Sequence, residues 1–278
     1  MPEGDTIAYA AKRIRSVLEG RVPDEILTPH PRHRMDRWPE RLAGRAVTEI
    51  RTHGKHLFIR FGPLAIPARQ DRADRMSSGS FDGELVIHSH LRMSGSWGVY
   101  GDGRRWRRSP GRAWLILRSA GHHVVQFDGP LLELLTEGRA RFDQRLAALG
   151  PDVLAPEFDF SRFLARLRSD DPTRGIGDAV LDQRNLAGIG NIWKAEGCWE
   201  AGIDPWRRVA DVSDAEAMAI VEGARPRMQR SASTGRFADQ TRVYRHAGRP
   251  CPRCGTRIEA RGQGDDNRTT FWCPGCQR

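Results

Sequence analysis

Two cysteine knuckles near the end of the chain constrain the fold more than any other feature: Cys251-Pro252-Arg253-Cys254 and Cys273-Pro274-Gly275-Cys276, separated by eighteen residues. Two C-x2-C turns at this spacing form the pattern of a four-thiolate metal site, each turn aiming two sulfurs at one tetrahedral ion. One structural zinc is the expected cofactor, and iron in a rubredoxin-like site is the alternative, since it uses similar knuckles. Four of the five cysteines lie here, which suits a metal site in a reducing compartment better than a disulfide framework. The fifth, Cys198, reads as a small buried hydrophobe. Between the knuckles, Asp265-Asp266-Asn267-Arg268-Thr269-Thr270 has the composition of a hairpin turn, with Asn267 suited to the left-handed conformation. Arg268 then stands at the hairpin tip, either gripping an anion or merely solvated.

The chain carries a formal net charge of +10, which points to a polyanionic partner whose counterions Lys and Arg displace. From Arg236 onward nine arginines face four acids, so half of that excess sits around the knuckles. No run reaches the roughly 18 apolar residues of a membrane helix, and the N-terminus is acidic, so a soluble cytoplasmic protein is expected. With 278 residues, the length suits two ordinary domains.

Along the chain, Ile7, Ala10, Ala11, Ile14, Val17 and Leu18 form the stripe of an amphipathic helix from Asp5 to Gly20, with Asp5 as N-cap and Gly20 as stop. From about Val47 to Phe127 short β-branched or alternating runs with glycine punctuation predict an antiparallel sandwich or barrel. The strands are expected at Val47 to Arg51, Leu57 to Phe61, Leu85 to Leu91, Trp97 to Tyr100, Trp114 to Arg118 and Val124 to Phe127. His88 and His90 fall on one strand face, where ordinary packing or hydrogen bonding is expected. The polar segment Gly62 to Gly83 reads as an exposed loop. Past Leu131 a helical pattern is expected, with a hinge at Leu149 to Leu154 and helices over Phe160 to Leu167, Ile176 to Leu186, Ile192 to Ala201 and Ala215 to Met228.

Leu181 to Ile192 reads as a helix end, a turn with Gly188 and Gly190, and a second helix capped by Asn191. Glycine allows close backbone approach and the opening N–H groups form an anion site, for a DNA phosphate or, alternatively, a plain packing corner. Amines are scarce: the only lysines are Lys12, Lys55 and Lys194. The remaining candidate is the N-terminus, where trimming of Met1 would expose the Pro2 secondary amine beside Glu3. An α-amino group, with a pKa near 8, is more nucleophilic at neutral pH than lysine, and an adjacent acid suits general acid catalysis.

Met1-Pro2-Glu3-Gly4-Asp5-Thr6, Gly54-Lys55-His56-Leu57, His88 through Gly95, Leu149-Gly150-Pro151-Asp152, Asp182-Gln183 through Asn191 and the paired knuckles occur in this order along nearly the whole chain. Together they resemble the formamidopyrimidine-DNA glycosylase and endonuclease VIII family, and the opening Pro-Glu-Gly resembles its endonuclease VIII branch. The resemblance implies an α+β protein: an N-terminal antiparallel β-sandwich with a helix at 1–135, a helix-two-turns-helix domain at 136–235 and a zinc-binding hairpin at 236–278, with DNA in a basic cleft. It implies a monomeric base-excision repair enzyme, nucleoid-associated when bound to duplex DNA bearing damaged bases or abasic sites. Pro2 would be the nucleophile, Glu3 the acid and Lys55 a contact to the phosphate beside the lesion. Asn191 and Arg268 would grip the backbone, and Met93 would fill the gap left by a flipped-out base. The family's Arg-Arg-Phe-Gly loop is replaced by Gln126-Phe127-Asp128-Gly129-Pro130, so oxidised pyrimidines and ring-opened purines are expected rather than strict 8-oxoguanine. Two other classes remain open on the residues: a non-catalytic zinc-hairpin DNA binder and an iron electron carrier.

Overall fold

A computed structural model describes residues 2–64 and 83–278. The chain forms two compact units: one comprises Met1–Pro2, Ala10–Thr52 and His56–Ala147, the other Glu3–Tyr9, His53–Lys55 and Ala148–Arg278. Among the described residues no helix is long and apolar enough to cross a membrane.

The first unit holds two antiparallel four-stranded sheets. One has the order β1 (Glu25–Leu27), β6 (Ala113–Ser119), β7 (His122–Phe127), β5 (Ser96–Gly101); the other runs β2 (Val47–His53), β3 (His56–Phe61), β4 (Leu85–His90), β8 (Leu131–Thr136). In β3 the alternation is plain: Leu57, Ile59 and Phe61 are fully buried and the residues between them are not, as the two-residue period of a strand requires. Val124 and Val125 point to opposite faces of β7, and both are buried, so that sheet is covered on both sides. Val125 joins Ala113, Ile116 and Phe127 in a cluster with Leu27, Tyr100 and Trp106. All six expected strands are present within one or two residues of their ends.

Two strands had no clear sequence signal. Glu25–Leu27 is short, and Leu131–Thr136 stands where a helical pattern was expected. Its Leu-Leu-Glu-Leu-Leu run fits either period, and pairing with β4 from Leu85↔Thr136 to His90↔Leu131 decides for strand; helix begins only at Glu137. The expected surface loop from Gly62 to Gly83 falls, over 65–82, outside the described residues. Its two ends are tied by one buried guanidinium: Arg45 Nη1 donates to Gly62 O at 2.9 Å and Gly83 O at 2.7 Å.

Helix α1 (Gly4–Leu18) buries Ile7, Ala11, Ile14 and Leu18 at three- and four-residue spacing, the stripe of an amphipathic helix. Gly20 follows in the left-handed region at φ 76°. Asp5 is not the N-cap: it lies inside the first turn, buried, with the Ser231 hydroxyl donating to it.

The second unit packs helices Phe160–Arg168, Ile176–Leu181, Asn191–Ala201 and Asp214–Thr234 around Phe163, Leu167, Val180, Trp193, Ile220 and Met228. Cys198 is wholly buried in this core, and burial pushes its thiol up to about 12, as the hydrophobe reading expects. The longest helix starts with a capping box, Ser213 and Glu216 bonding each other's backbone. The helix from Ile176 stops at Leu181 rather than Leu186, because Asp182 turns extended and caps instead. The 149–154 stretch is tied down by Gly150 N to Gln183 O at 2.9 Å and Val153 N to Ala187 O at 2.9 Å. Hairpin strands β9 (Glu259–Gln263) and β10 (Arg268–Trp272) pair antiparallel, and Asn267 in their turn adopts φ 48°, the left-handed conformation its side chain suits.

Candidate functional site

The second unit assembles a carboxylate, an amine and a helix N-terminus around a turn of glycines. Gly4 N donates to Gly188 O at 2.8 Å, laying the start of α1 along the Ala187–Asn191 turn. A Cβ on Gly4 would stand 3.0 Å from Gly188 Cα and O, and Gly188 itself has φ 97°, so both positions demand glycine. Gly54 packs the same turn from the other side: it has φ 56°, and a Cβ there would meet Ala187 Cβ and Gly188 N at 2.9 Å. Asp152 fixes it by accepting from Gly54 N at 3.0 Å. Gln183 braces the turn from within, accepting from Gly188 N and donating to Ile189 O, both at 3.0 Å.

Glu3 is seated on this platform, 1% exposed. Its carboxylate accepts from Ile192 N at 2.9 Å and Trp193 N at 3.4 Å, at the opening turn of the Asn191–Ala201 helix. The anion of that helix N-terminus is therefore the protein's own Glu3, not an external phosphate as the glycine-turn reading expected. Gly190 forms the floor: a Cβ there would lie 2.3 Å from Glu3 Cδ. Burial raises the Glu3 carboxyl from 4.5 to about 7, against the opposing pull of Lys55 and the Ile192 N–H. Lys55, in the turn between β2 and β3, is lowered to about 8, chiefly by burial and less by Arg268, while Glu3 pulls it back up. A carboxyl and an amine that both titrate near neutrality are the equipment of proton transfer. Pro2, partly exposed, precedes Glu3 directly in the chain.

Asn191 is the first helical residue; Gly190 occupies the cap position and has no side chain to offer, so Asn191 is not the cap and Glu3 alone satisfies the opening N–H groups of Ile192 and Trp193. The Asn191 amide instead reaches the hairpin, Nδ2 donating to Thr269 O at 2.7 Å. A carbonyl only accepts, so the amide nitrogen must face it. Lys194 sits beneath, wholly buried, its ammonium donating to Gln263 Oε1 at 3.3 Å and to the Thr270 hydroxyl. Arg268 opens β10 opposite Gln263, half-exposed, paired with the exposed Asp266 at 2.9 Å. Glu3, Lys55, Asn191 and Arg268 thus belong to one unit. Met93 belongs to the other, at a turn after β4, and is 68% exposed.

The four cysteines Cys251, Cys254, Cys273 and Cys276 place their sulfurs within 4.8 Å of one another. The Cys251–Cys276 and Cys254–Cys273 separations are 3.8 and 3.5 Å. A tetrahedral ion with metal–sulfur bonds of about 2.3 Å requires sulfurs about 3.8 Å apart, so the set fits a metal ion. The knuckle is docked on the Asn191–Ala201 helix: Trp199 Nε1 donates to Cys251 Sγ at 3.3 Å, and Arg253 lies 4.3 Å over the Trp199 ring.

Residues 1–141 match the formamidopyrimidine-DNA glycosylase N-terminal domain, and residues 149–242 the formamidopyrimidine-DNA glycosylase H2TH domain. The chain belongs to the formamidopyrimidine-DNA glycosylase family. It is 39% identical to a Streptomyces coelicolor protein named probable endonuclease 8 2, over all of this chain and 94% of that one. It is 34% identical to Nei2 of Mycolicibacterium smegmatis, named a DNA-(apurinic or apyrimidinic site) lyase, over all of this chain and 99% of that one. The fold matches Lactococcus lactis Fpg (MutM) solved with DNA containing N7-benzyl-Fapy-dG, at a TM-score of 0.78 and 22% identity over both whole chains. The likeness to endonuclease VIII and the α+β architecture expected of the family are both met.

Sequence reasoning missed Gly190 as the floor under Glu3, Asp152 as the anchor of Gly54, and Lys194 as the buried link to the hairpin. Asp152 stood inside a recognised motif, but neither its partner nor the partner of Gly190 is near in sequence.

Proposed function

We propose that this member of the formamidopyrimidine-DNA glycosylase family is a bifunctional DNA glycosylase and abasic-site lyase that works through its N-terminal proline. The observation that carries the reading is a buried carboxyl with a pKa near 7, held by two backbone N–H groups and adjacent to Pro2.

Once Met1 is removed, the Pro2 nitrogen attacks C1′ of a flipped-out nucleotide and the C1′–base bond breaks, the base leaving with a proton. Glu3, half-protonated near neutrality, delivers a proton to the ring oxygen as the C1′–O4′ bond opens to an iminium. Loss of a C2′ proton expels the 3′ phosphate; loss of a C4′ proton then expels the 5′ phosphate. Water hydrolyses the remaining Schiff base and restores the amine. Lys55, Asn191 and Arg268 hold phosphates around the extruded sugar, and Met93 enters the vacated stack. One zinc ion bound by Cys251, Cys254, Cys273 and Cys276 fixes the hairpin that carries Arg268, and its role is structural. The substrate is duplex DNA with oxidised pyrimidines, ring-opened purines or abasic sites, cut by a monomer at the nucleoid.

Borohydride in the presence of abasic-site DNA tests the chemistry. A covalent protein–DNA adduct is expected from the trimmed chain, and orders of magnitude less of it from Pro2→Gly or from a form retaining Met1. An adduct formed equally by the Met1-retaining form would take the nucleophile off Pro2.

A further inference from the structure

The turn between β5 and β6 concentrates positive charge, most of it without an acid to answer it among the described residues. It reads Arg104-Arg105-Trp106-Arg107-Arg108 and lines a groove of about 750 Å³. Trp106 anchors it, with Tyr100 at 6.1 Å, His123 at 5.8 Å and Phe127 at 5.7 Å between ring centroids. Backbone bonds stiffen it further: Arg104 N donates to Gly101 O at 3.1 Å and Arg107 N to the Tyr100 hydroxyl at 3.3 Å. With the tryptophan turned inward, Arg104, Arg105 and Arg107 are left exposed.

The nearby acids are already engaged. Asp128 accepts from Arg108 and Arg112, and Asp102 pairs with His123 at 3.0 Å. Elsewhere in this unit Arg60, Arg118 and Arg145 each hold a carboxylate, whereas among the described residues Arg104, Arg105 and Arg107 have no ion-pair partner. Three neighbouring cations on a rigid turn repel one another, a cost that an anionic ligand removes. Arg108 also donates to Ser94 O at 2.7 Å, which joins this turn to the one that exposes Met93.

We infer that Arg104, Arg105 and Arg107 form a second phosphate-binding surface, which holds the DNA backbone beside the Met93 turn. This rests on the DNA-repair reading but concerns a contact separate from the Glu3 site.

The test is the salt dependence of binding to a duplex carrying a stable abasic-site analogue, for the full chain and for R104Q/R105Q/R107Q. Each phosphate contact contributes roughly 0.9 to the slope of log affinity against log salt, so three lost contacts lower it by about 2.7. Between about 50 and 200 mM salt, the unaltered protein then loses about 40-fold more affinity than the variant. R104K/R105K/R107K, with its charge kept, and R21Q, outside the turn, should hold the parent slope. If the triple glutamine variant does not fold, each single variant should lower the slope by about 0.9. An unchanged slope in the glutamine variants overturns the surface while leaving the lyase reading intact; failure of the unaltered protein to form a borohydride adduct overturns the lyase reading instead.

Discussion

Replacing Glu3 by glutamine should cost activity and return stability, and the return should depend on pH in a way the burial of this one group fixes. The carboxyl rises from 4.5 to about 7 on folding. A raised folded pKa in an acid means that its ionisation favours the unfolded chain: the penalty is absent below about 4.5, grows as pH climbs, and is complete above about 7. Between about pH 5 and 7.5 it amounts to about 2 kcal/mol, taking roughly 1.4 kcal/mol per pKa unit. Glu3 is 1% exposed, so solvent screening does not erode that figure. Lys55, lowered to about 8, stays mostly charged through this window and titrates above it. E3Q cannot ionise, but its Oε1 can still accept from Ile192 N. Urea unfolding followed by tryptophan fluorescence should therefore give E3Q a stability relative to the parent that is higher by about 2 kcal/mol at pH 7.5 than at pH 5. The same variant should lose borohydride trapping by orders of magnitude. Parallel stability curves across that pH range would mean that Glu3 is not the buried acid described, and full trapping by E3Q would remove it from the chemistry.

Gly190→Ala would drive a Cβ to 2.3 Å from Glu3 Cδ; a displacement on the order of 1 Å can cost about 100-fold in rate, so single-turnover lyase activity should fall by that order while metal content stays unchanged. Arg268→Ala should flatten the salt dependence of DNA binding by about 0.9, and an unchanged slope would take this arginine off the phosphate. Chelation should remove one metal ion per chain and abolish DNA binding along with the hairpin, because Cys251, Cys273 and Ile258 form part of the core beneath it; intact affinity in metal-free protein would separate the hairpin from the binding surface.

The sequence determined those parts of this protein whose physics is local. Two C-x2-C turns announce a tetrahedral site because each turn fixes its own pair of sulfurs. The stripe of α1 and the alternation of Leu57, Ile59 and Phe61 state which faces are buried, and Pro2-Glu3 states where a reactive secondary amine can arise. What only the tertiary structure decided depends on partners distant along the chain. Glu3 lies 189 residues from the Ile192 N–H that it accepts, and nothing near residue 3 reveals that it, rather than a phosphate, satisfies that helix. Asn191 looked like a cap, but its amide bonds Thr269, 78 residues on. Leu131 to Thr136 fitted either helix or strand until β4 offered an edge to pair with. A side chain's identity sets which bonds it can make, but the fold chooses among the groups able to receive them, and that choice turned a glycine-rich corner into the seat of a carboxyl tuned to neutrality.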